Sequence, residues 1–375
     1  MKNKNIAFIG SKGIPANYGG FETFVDEVSL GLKKRGYEIT VVGDAEQKEQ
    51  MKGRQEYNGI QLYYSRFVKS KAPVRFYVES MLIGMKKSDI IYSCGSGGGY
   101  FSFLPGLFGK ILITNTDGMG WIRDKYSPLK KKLLKSLIYF TSKWSQYIVY
   151  DSKGIEEVFE RVFKRTHNGV ILEYGAYYNK FIEIDNKQSN EVLTKYNLTK
   201  NQYHLLVSRL EPENNVEIII QGYVLSDKKF PLIIVGNVME TDYVQKLKRY
   251  ENDNIRFIGG IYNKDELEIV RANAYTYLHG HSVGGTNPSL LEAMASKNYC
   301  ICHDNIFNKE VVQEYGKFFK HKEDVDKIMN FVENDISDKE YNSAKNGVFN
   351  RIKDYYNWEI IVQKYDDFFQ SIIKK

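Results

Sequence analysis

The sequence predicts an α/β protein of two domains, each built around a largely parallel sheet. The chain has 375 residues, too many for one ordinary core and suited to two domains of roughly 150 to 200 residues each. Short β-rich apolar runs alternate with segments of helical periodicity in both halves of the chain. A hydrophobic content of 42%, with 29 Tyr and 21 Phe, excludes a disordered or collagen-like chain.

The first domain opens with a strand, a long glycine-containing loop and a helix. The apolar pattern predicts a buried parallel strand at residues 5–10 and a second strand at 38–42. Between them, apolar residues at helical spacing predict a helix at 21–34. A dinucleotide-binding unit for NAD has the same order of elements. The loop glycines, at positions 10, 13, 19 and 20, do not form its G-x-G-x-x-G pattern, and the loop is too long for its tight turn. NAD binding is therefore the minor alternative.

Three further predicted strands are followed by candidate ligand-binding residues. Residues 89–94 lead into a glycine run at 95–99, where backbone can approach a ligand closely. Residues 111–115 deliver Asp117 to the carboxyl edge of the sheet, the edge where open α/β sheets bind ligands. Asp117 followed by Gly is also an ordinary turn. Residues 147–150 end at Asp151, which can equally be a helix cap.

The second domain begins after a polar, Asn-rich linker. Residues 182–200 form this linker, and strands are predicted at 203–208, 231–236 and 255–260. Arg209 follows the first of these strands. It is suited to bidentate contact with a phosphate, although an arginine at such a place is often only a surface ion pair.

The run from His279 to Ala295 combines a glycine turn, a helix start and a carboxylate. A β-rich strand ending near Leu278 precedes it. Asn287 is placed to cap, and Pro288 to open, a helix whose first N–H groups favour an anion such as a pyrophosphate. Glu292 lies about one turn further on among apolar residues, where a buried carboxylate needs a partner such as ligand hydroxyls. A plain strand-to-helix turn with a surface glutamate is the alternative.

This run resembles the donor-binding motif of the family 4 glycosyltransferases, and in detail that of the bacterial rhamnosyltransferase branch. The resemblance spans nearly the whole chain and implies the glycosyltransferase B fold, two Rossmann-like domains facing a cleft. It implies an acceptor-binding domain at 1–180, a nucleotide-sugar-binding domain at 181–356, and a C-terminal helix at 357–375 that packs back on the first domain. The implied reaction is retaining transfer of rhamnose from dTDP-rhamnose to a polyprenyl-pyrophosphate-linked saccharide in cell-wall or capsular polysaccharide synthesis.

The resemblance also implies the site residues. Glu292 matches the glutamate that holds the nucleotide ribose, while Gly284 stands where the family has a second glutamate, so backbone groups of 285–287 must replace it. Asn214 stands in place of the usual phosphate-binding lysine. Asp117 replaces a histidine that touches the sugar 6-hydroxyl, which suits a 6-deoxy sugar. The expected catalytic residues are Asp117, Arg209 and Asp151. The expected donor-binding residues are Gly19, Gly20, Arg209, Ile261, Tyr262, His281, Gly284, Gly285, Thr286, Asn287 and Glu292.

Charge is distributed unevenly along the chain. Residues 1–180 carry 28 Lys and Arg against 17 Asp and Glu, a net of +11, and the rest carries 25 against 29, a net of −4. No nucleic-acid-binding pattern accompanies the basic half, so we expect an anionic membrane surface and not nucleic acid as its partner. Lys130, Lys131 and Lys132 begin a helix with an apolar side, although such a helix more often packs on its own sheet beside a solvated face.

Composition and motifs predict the location of the protein in the cell and its independence of metals and cofactors. No 18-residue apolar stretch or leader sequence occurs, and the three cysteines form no C-x-x-C pair, so we expect a cytoplasmic protein, peripheral on the inner face of the cell membrane. No D-x-D run follows a strand, so no metal or other cofactor is expected. Two other functions remain open: a sugar-nucleotide epimerase, and a non-catalytic partner that only binds nucleotide sugar.

Overall fold

The chain folds into two units, each with its own parallel sheet. The computed structural model describes residues 5–16, 19–116, 119–123, 126–164, 168–178 and 186–374. One unit comprises Met1–Tyr174 together with Trp358–Lys375, and the other comprises Gly175–Asn357. Asp117 and Gly118 lie outside the described residues.

The first unit holds an eight-stranded sheet, counted over the described residues. Its strands, in chain order, are β1 (Asn5–Ile9), β2 (Glu38–Gly43), β3 (Glu56–Tyr57), β4 (Ile60–Tyr64), β5 (Ile90–Cys94), β6 (Ile111–Asn115), β7 (Tyr147–Tyr150) and β8 (Gly169–Ile171). Their order in space is β3-β4-β2-β1-β5-β6-β7-β8, and only the β3–β4 pair is antiparallel. The helices of this part of the chain are α1 (Gly20–Lys34), α2 (Ala45–Gln50), α3 (Pro73–Lys87), α4 (Leu104–Leu107), α5 (Pro128–Trp144) and α6 (Lys153–Phe163).

The second unit holds a six-stranded, wholly parallel sheet, again over the described residues. Its strands are β9 (His204–Val207), β10 (Leu232–Val235), β11 (Ile255–Gly259), β12 (Thr276–His279), β13 (Tyr299–His303) and β14 (Lys317–Phe319). Their order is β11-β10-β9-β12-β13-β14. Its helices are α7 (Asn186–Lys195), α8 (Val216–Leu225), α9 (Asp242–Lys248), α10 (Lys264–Ala272), α11 (Pro288–Ala295), α12 (Ile306–Val312), α13 (Lys322–Asn330) and α14 (Asp338–Arg351).

The last helix, α15 (Trp358–Ile373), belongs to the first unit, where it packs on α1. Its Tyr365 ring lies 5.2 Å from that of Phe24, and its hydroxyl lies 3.1 Å from the hydroxyl of Tyr92. Tyr37 donates a 2.7 Å hydrogen bond to Asp366. These buried aromatic side chains tie the helix into the core, because tyrosine hydroxyls need partners once they leave water.

The α/β class predicted from the sequence is confirmed. Every strand expected from the apolar runs forms, since two-sided burial gives continuous hydrophobic strands. The helix after β7 differs in its cap: Ser152, not Asp151, accepts the N–H of Ile155 at 3.2 Å. No helix within the described residues is both long and apolar enough to cross a membrane.

The apolar side of α5 is only partly buried, whereas the sequence predicts that it packs on the sheet. Leu137 and Ile138 are buried, whereas Leu129 is 80% exposed and Leu133 is 51% exposed. Leu129, Leu133 and Leu137 are spaced four residues apart on one face of the helix, so this face is exposed at its N-terminal end and joins the core only at Leu137.

Candidate functional site

Two loops of the second unit meet at the point where its strand order reverses. From β9 the chain moves outward through β10 to β11, and then returns to the other side of β9 as β12. The strands β9 and β12 pair in parallel, with Leu206 beside Leu278. Their following loops, 208–215 and 280–287, therefore leave the same edge of the sheet side by side. Open α/β sheets bind ligands at such a switch point.

Hydrogen bonds join these two loops. Asn215 donates from its side chain to the carbonyl of Gly280 at 2.7 Å, and Ser282 donates to the carbonyl of Glu213 from both its N–H and its hydroxyl. Gly280 is needed at this contact, because a Cβ there would meet the Asn214 carbonyl oxygen. The loops thus form one rigid structure, as a binding site requires.

The second loop leads into α11 as the sequence predicts. Asn287 accepts the Ser289 N–H at 3.0 Å, and Pro288 occupies the first helical position. The N–H of Leu290 bonds to the Asn287 carbonyl. Because Asn287 takes both N–H groups, a ligand would meet the backbone of 284–287 and not that of 289–290. Gly284 has a φ of 126° and open space beside its Cα, so the turn leaves room for a ligand.

Arg209 follows β9 with its side chain 45% exposed. Its guanidinium lies 3.7 Å from Glu211, an ion pair that water screens and that a ligand phosphate can replace. Asn214 does not contribute as a surface polar group: it is buried and donates to the Arg209 carbonyl at 2.7 Å. The residue that stands in place of the family's lysine therefore holds the backbone of Arg209 in position.

Glu292 has a protein partner that the sequence does not indicate. Its Oε2 lies 2.5 Å from Nη2 of the buried Arg271 on α10, and its side chain is 40% exposed. Burial lowers the pKa of Arg271, but the charges of Glu292 and Glu268 outweigh burial and raise it. The expectation of a buried carboxylate that needs a ligand is wrong in this respect. Arg271 orients the carboxylate and leaves part of it open to solvent.

The expected base-binding residues follow β11. Ile261 is buried and Tyr262 is 64% exposed, just before the cap of α10 at Asn263. The strand β11 stands two strands away from β9. Tyr262 therefore leaves the carboxyl edge of the same sheet, with β10 between it and the Arg209 loop.

His279 and His281 stack with ring centroids 4.4 Å apart. Burial, and after it the charges of His281 and His303, hold the pKa of His279 well below its ordinary value. Neither ring nitrogen of His279 has a hydrogen-bond partner among the described residues. A neutral imidazole cannot neutralise a phosphate, so His279 contributes as a ring that supports His281. The main chain of His281 is itself fixed by Asn305 and Asn308, which donate to its carbonyl.

In the first unit, the loop after β1 is held by carboxylates of α1. Gly19 precedes α1 with a φ of 117°, and Glu22 accepts the Lys12 N–H at 2.8 Å. The Glu22 carboxylate lies against Gly19, where any larger residue would collide with it. Gly19 and Gly20 therefore adjoin a carboxylate at the start of α1, within the loop at the β1/β5 switch point of that sheet.

Of the two aspartates proposed for the first unit, the structure describes only Asp151. Asp117 is outside the described residues, after the buried Asn115 and Thr116. Asp151 is buried at the end of β7. Burial raises the pKa of Tyr92 and of Tyr365, and the Asp151 charge raises each further, so Asp151 lies close to the aromatic cluster around α15.

A cavity of about 420 Å³ lies elsewhere in the second unit. It is lined by Tyr299 and Lys317, the first residues of β13 and β14. It is thus at the amino edge of the sheet, opposite to the switch-point loops.

Comparison with known proteins follows this division of the chain. Residues 189–347 match the family described as glycosyl transferases group 1. We refer to residues 189–347 by this similarity as the glycosyltransferase segment. Residues 3–177 match a domain of unknown function, DUF1972. The glycosyltransferase segment contains both switch-point loops, Arg209 and Glu292.

Two relatives carry related names. The chain is 28% identical, over 264 residues covering 67% of its length, to an uncharacterized glycosyltransferase of Methanocaldococcus jannaschii. It is 30% identical over 132 residues, 33% of its length, to O-antigen chain mannosyltransferase B of Escherichia coli. The matches span 64% and 34% of these relatives' own lengths. Both names, like the description of the matched family, refer to glycosyltransferases.

Solved structures share the fold. The Anabaena protein HepE, in a complex with UDP and glucose, superposes with a TM-score of 0.78 at 15% identity, with coverage of 98% of this chain and 99% of that one. The predicted glycosyltransferase B fold is confirmed.

Proposed function

We propose that this chain transfers a sugar from a nucleotide-sugar donor, bound at the switch-point loops of the second unit, to a saccharide acceptor. The observation that carries the proposal is the joining of the Arg209 loop to the 280–287 loop at the β9/β12 edge. One loop supplies a cation and the other a glycine turn at a helix start. These are the groups that bind a pyrophosphate, and they lie in the glycosyltransferase segment.

The reaction at this site requires a nucleoside diphosphate to leave the donor sugar. The bond between the anomeric carbon and the pyrophosphate oxygen breaks, and the acceptor oxygen bonds to that carbon on the same face. The acceptor's proton passes to the departing phosphate. Arg209 offsets the charge that grows on the leaving group, with the backbone of 285–287 beside it. Glu292, oriented by Arg271, accepts hydrogen bonds from the donor's ribose hydroxyls.

The proposed donor is dTDP-rhamnose. Its support is the resemblance to the rhamnosyltransferase branch, together with Asp117 at the position where relatives contact a 6-hydroxyl, a group that a 6-deoxy sugar lacks. The proposed acceptor is a polyprenyl-pyrophosphate-linked saccharide in polysaccharide synthesis. The name of the E. coli relative, an O-antigen chain mannosyltransferase, agrees with that class of product.

The proposed place of action is the anionic inner surface of the cell membrane. The support is the net charge of +11 over residues 1–180, against −4 over the rest.

One assay tests the donor, the acceptor and the reaction together. Radiolabelled dTDP-rhamnose, UDP-glucose and GDP-mannose are each offered with membrane lipid extract, and lipid-linked product is scored. We expect product from dTDP-rhamnose. Product from another donor only would overturn the choice of sugar. Conversion of the donor with no acceptor present would indicate an epimerase, and donor binding without any turnover would indicate a non-catalytic partner.

A further inference from the structure

Large apolar side chains are exposed on two contacting segments of the first unit. Leu107 is 71% exposed, Phe108 is 65% exposed and Leu129 is 80% exposed. They belong to the β5–β6 connection and to α5. Single exposed leucines are common, but a group of this kind marks an interaction site. We call it the apolar–basic surface and define its apolar members as Phe101, Leu107, Phe108, Leu129, Leu133 and Trp144.

The two segments are in direct contact over the C-terminal half of α5. The Tyr100 ring lies 4.8 Å from that of Phe140, and its hydroxyl lies 2.8 Å from Ser136 on α5. Phe103 contacts Trp144 at the end of α5, with ring centroids 6.0 Å apart. Leu107 and Phe108 follow Phe103 by one helical turn. The connection therefore lies beside the C-terminal half of α5, and Leu129 and Leu133 extend the exposed apolar side chains toward the start of the helix.

The exposed side of α5 is a helical stripe. Leu129 and Leu133 are four residues apart, and Phe140 and Trp144 repeat that spacing near the end of the helix. At 3.6 residues per turn these positions share one face. Leu137 continues the same row but is buried beside Gly99, and Ile138 is buried on the opposite side of the helix. The first unit therefore covers the middle of this row and leaves Leu129 and Leu133 exposed.

Lysines flank this stripe without any acid. Residues 99–110 and 128–144 contain no Asp or Glu, and α5 carries five lysines. Four of them are exposed, namely Lys130, Lys132, Lys135 and Lys143. Lys130 to Lys132 occupy the first turns of α5, where the helix dipole favours acids. Stability of the helix therefore does not account for them.

We infer that the apolar–basic surface docks on an anionic lipid bilayer, with Leu107 and Phe108 inserting below the headgroups and the α5 lysines contacting them. Apolar side chains bordered by cations match the two layers of such a membrane face, hydrocarbon beneath anionic headgroups. The inference rests on the proposed function in one respect: a lipid-linked acceptor gives this docking its purpose. The docking itself needs neither donor nor acceptor.

Vesicle co-sedimentation of the full chain tests the docking. Phosphatidylcholine vesicles are compared with vesicles that also contain phosphatidylglycerol, at low and high salt. We expect binding to the anionic vesicles, weakened by salt, and much weaker binding to the neutral ones. Replacing both Leu107 and Phe108 by Ser should reduce binding by about tenfold or more, because each loses a buried apolar side chain. Replacing Lys130, Lys132 and Lys135 by Gln should reduce binding only to the anionic vesicles.

Matched controls come from the second unit. Leu225→Ser changes a leucine that is 53% exposed, and Lys200→Gln changes an exposed lysine. Both should leave vesicle binding unchanged. In the parent chain, quenching of Trp144 by brominated lipid, lost in Trp144→Phe, reports contact with the acyl layer.

Each contrary outcome overturns the inference. Equal binding of the Leu107/Phe108 variant and the parent chain would do so, as would equal binding to both vesicle types. Absence of vesicle binding, with dimers in analytical ultracentrifugation that the same variant abolishes, would assign the surface to a second copy of the chain. Transfer to a water-soluble acceptor separates this inference from the proposed function: a chain that transfers sugar but ignores vesicles refutes only the docking.

Discussion

Arg271 and Glu292 show how one side chain decides the role of another. The Glu292 carboxylate lies 2.5 Å from the buried Arg271 guanidinium, and the Glu292 side chain remains 40% exposed. Arg271 therefore orients the carboxylate and leaves it accessible to a ligand. Glu268 adds a second carboxylate 3.9 Å from Arg271 and accepts a 2.6 Å hydrogen bond from Ser296. A carboxylate held in this way can accept hydrogen bonds from ligand hydroxyls at little further cost in side-chain entropy.

Arg209→Ala should nearly abolish transfer without unfolding the protein. The lost cation no longer offsets the charge on the departing pyrophosphate, a contribution of roughly 3 kcal/mol or about a hundredfold in kcat. Turnover is measured beside Arg249→Ala, which removes an exposed arginine of the same unit. Parental turnover in a folded Arg209→Ala protein would contradict the assignment.

Glu292→Gln should weaken donor binding by about tenfold, because an amide keeps an acceptor but loses the charge-assisted bond to a ribose hydroxyl. Calorimetric titration with donor measures this, with Glu323→Gln, at an exposed position of the same unit, as the control. Thermal unfolding is recorded in parallel, since the change also leaves Arg271 without its nearest carboxylate. Donor affinity equal to that of the parent chain would remove Glu292 from the site.

Asp117→Asn should lower turnover much more than donor affinity. The proposal places Asp117 on the sugar or acceptor side, where its charge acts in the transition state. Single-turnover rates and donor titrations give the two quantities separately. An equal fall in both, or no change in either, would show that the placement is wrong.

At the scale of elements, the site depends on the joining of two loops. The β9 loop contacts the β12 loop through the side chain of Asn215 and the carbonyl of Glu213, and Gly280 allows the close approach. Tyr277 extends the connection into α11, because its hydroxyl lies 3.0 Å from that of Ser289. The two loops, β12 and α11 are therefore linked by hydrogen bonds into one structure.

Gly280→Ala should disturb this connection. The added Cβ meets the Asn214 carbonyl oxygen, so the loops must separate, at a cost of about 1–3 kcal/mol in the free energy of unfolding. Donor affinity should fall as well, because Arg209 depends on Asn214 for its backbone position. Gly284→Ala is the comparison, since its φ of 126° brings backbone strain but no collision. Equal donor affinity in the Gly280→Ala protein and the parent chain would contradict the prediction.

At the scale of the whole molecule, a buried pair makes stability depend on pH. His204 and Glu333 lie 2.7 Å apart in the second unit, and Thr276 lies 2.7 Å from the other ring nitrogen of His204. Burial lowers the pKa of His204 below 6.5. Burial acts to raise the pKa of Glu333, but His204 and the N–H groups of Lys229 and Phe230 outweigh it and lower the pKa below 4.5.

Both shifts predict loss of stability in acid. Below pH 6.5 His204 is protonated in the unfolded chain, whereas in the folded chain it stays neutral down to a lower pH. Below pH 4.5 Glu333 is protonated in the unfolded chain, whereas in the folded chain its carboxylate stays charged down to a lower pH. The melting temperature should therefore fall as the pH drops through this range. In Glu333→Gln the part of the slope near and below pH 4.5 should be reduced. A melting temperature that rises on acidification would contradict the sign.

Local patterns in the sequence were enough to predict much of the fold. Continuous apolar runs predict buried parallel strands because both faces of such a sheet are covered, and β1, β2, β5 and β6 form where expected. The short edge strands β3 and β14 were not predicted, since they have few residues and one weakly specified face. The Asn287 cap and Pro288 start of α11 were predicted because capping depends on adjacent residues alone.

The tertiary structure decided which distant groups meet. The Arg271–Glu292 pair joins two helices, and the Asn215–Gly280 bond joins loops 65 residues apart in the chain, so no local pattern indicates either contact. The same reason applies to α5: periodicity shows that the helix has apolar faces, but only packing determines that Leu137 is buried and Leu129 is exposed. The sequence by itself therefore determined the elements and their caps, whereas the positions of side chains at the site, and the surface left open, follow from long-range packing.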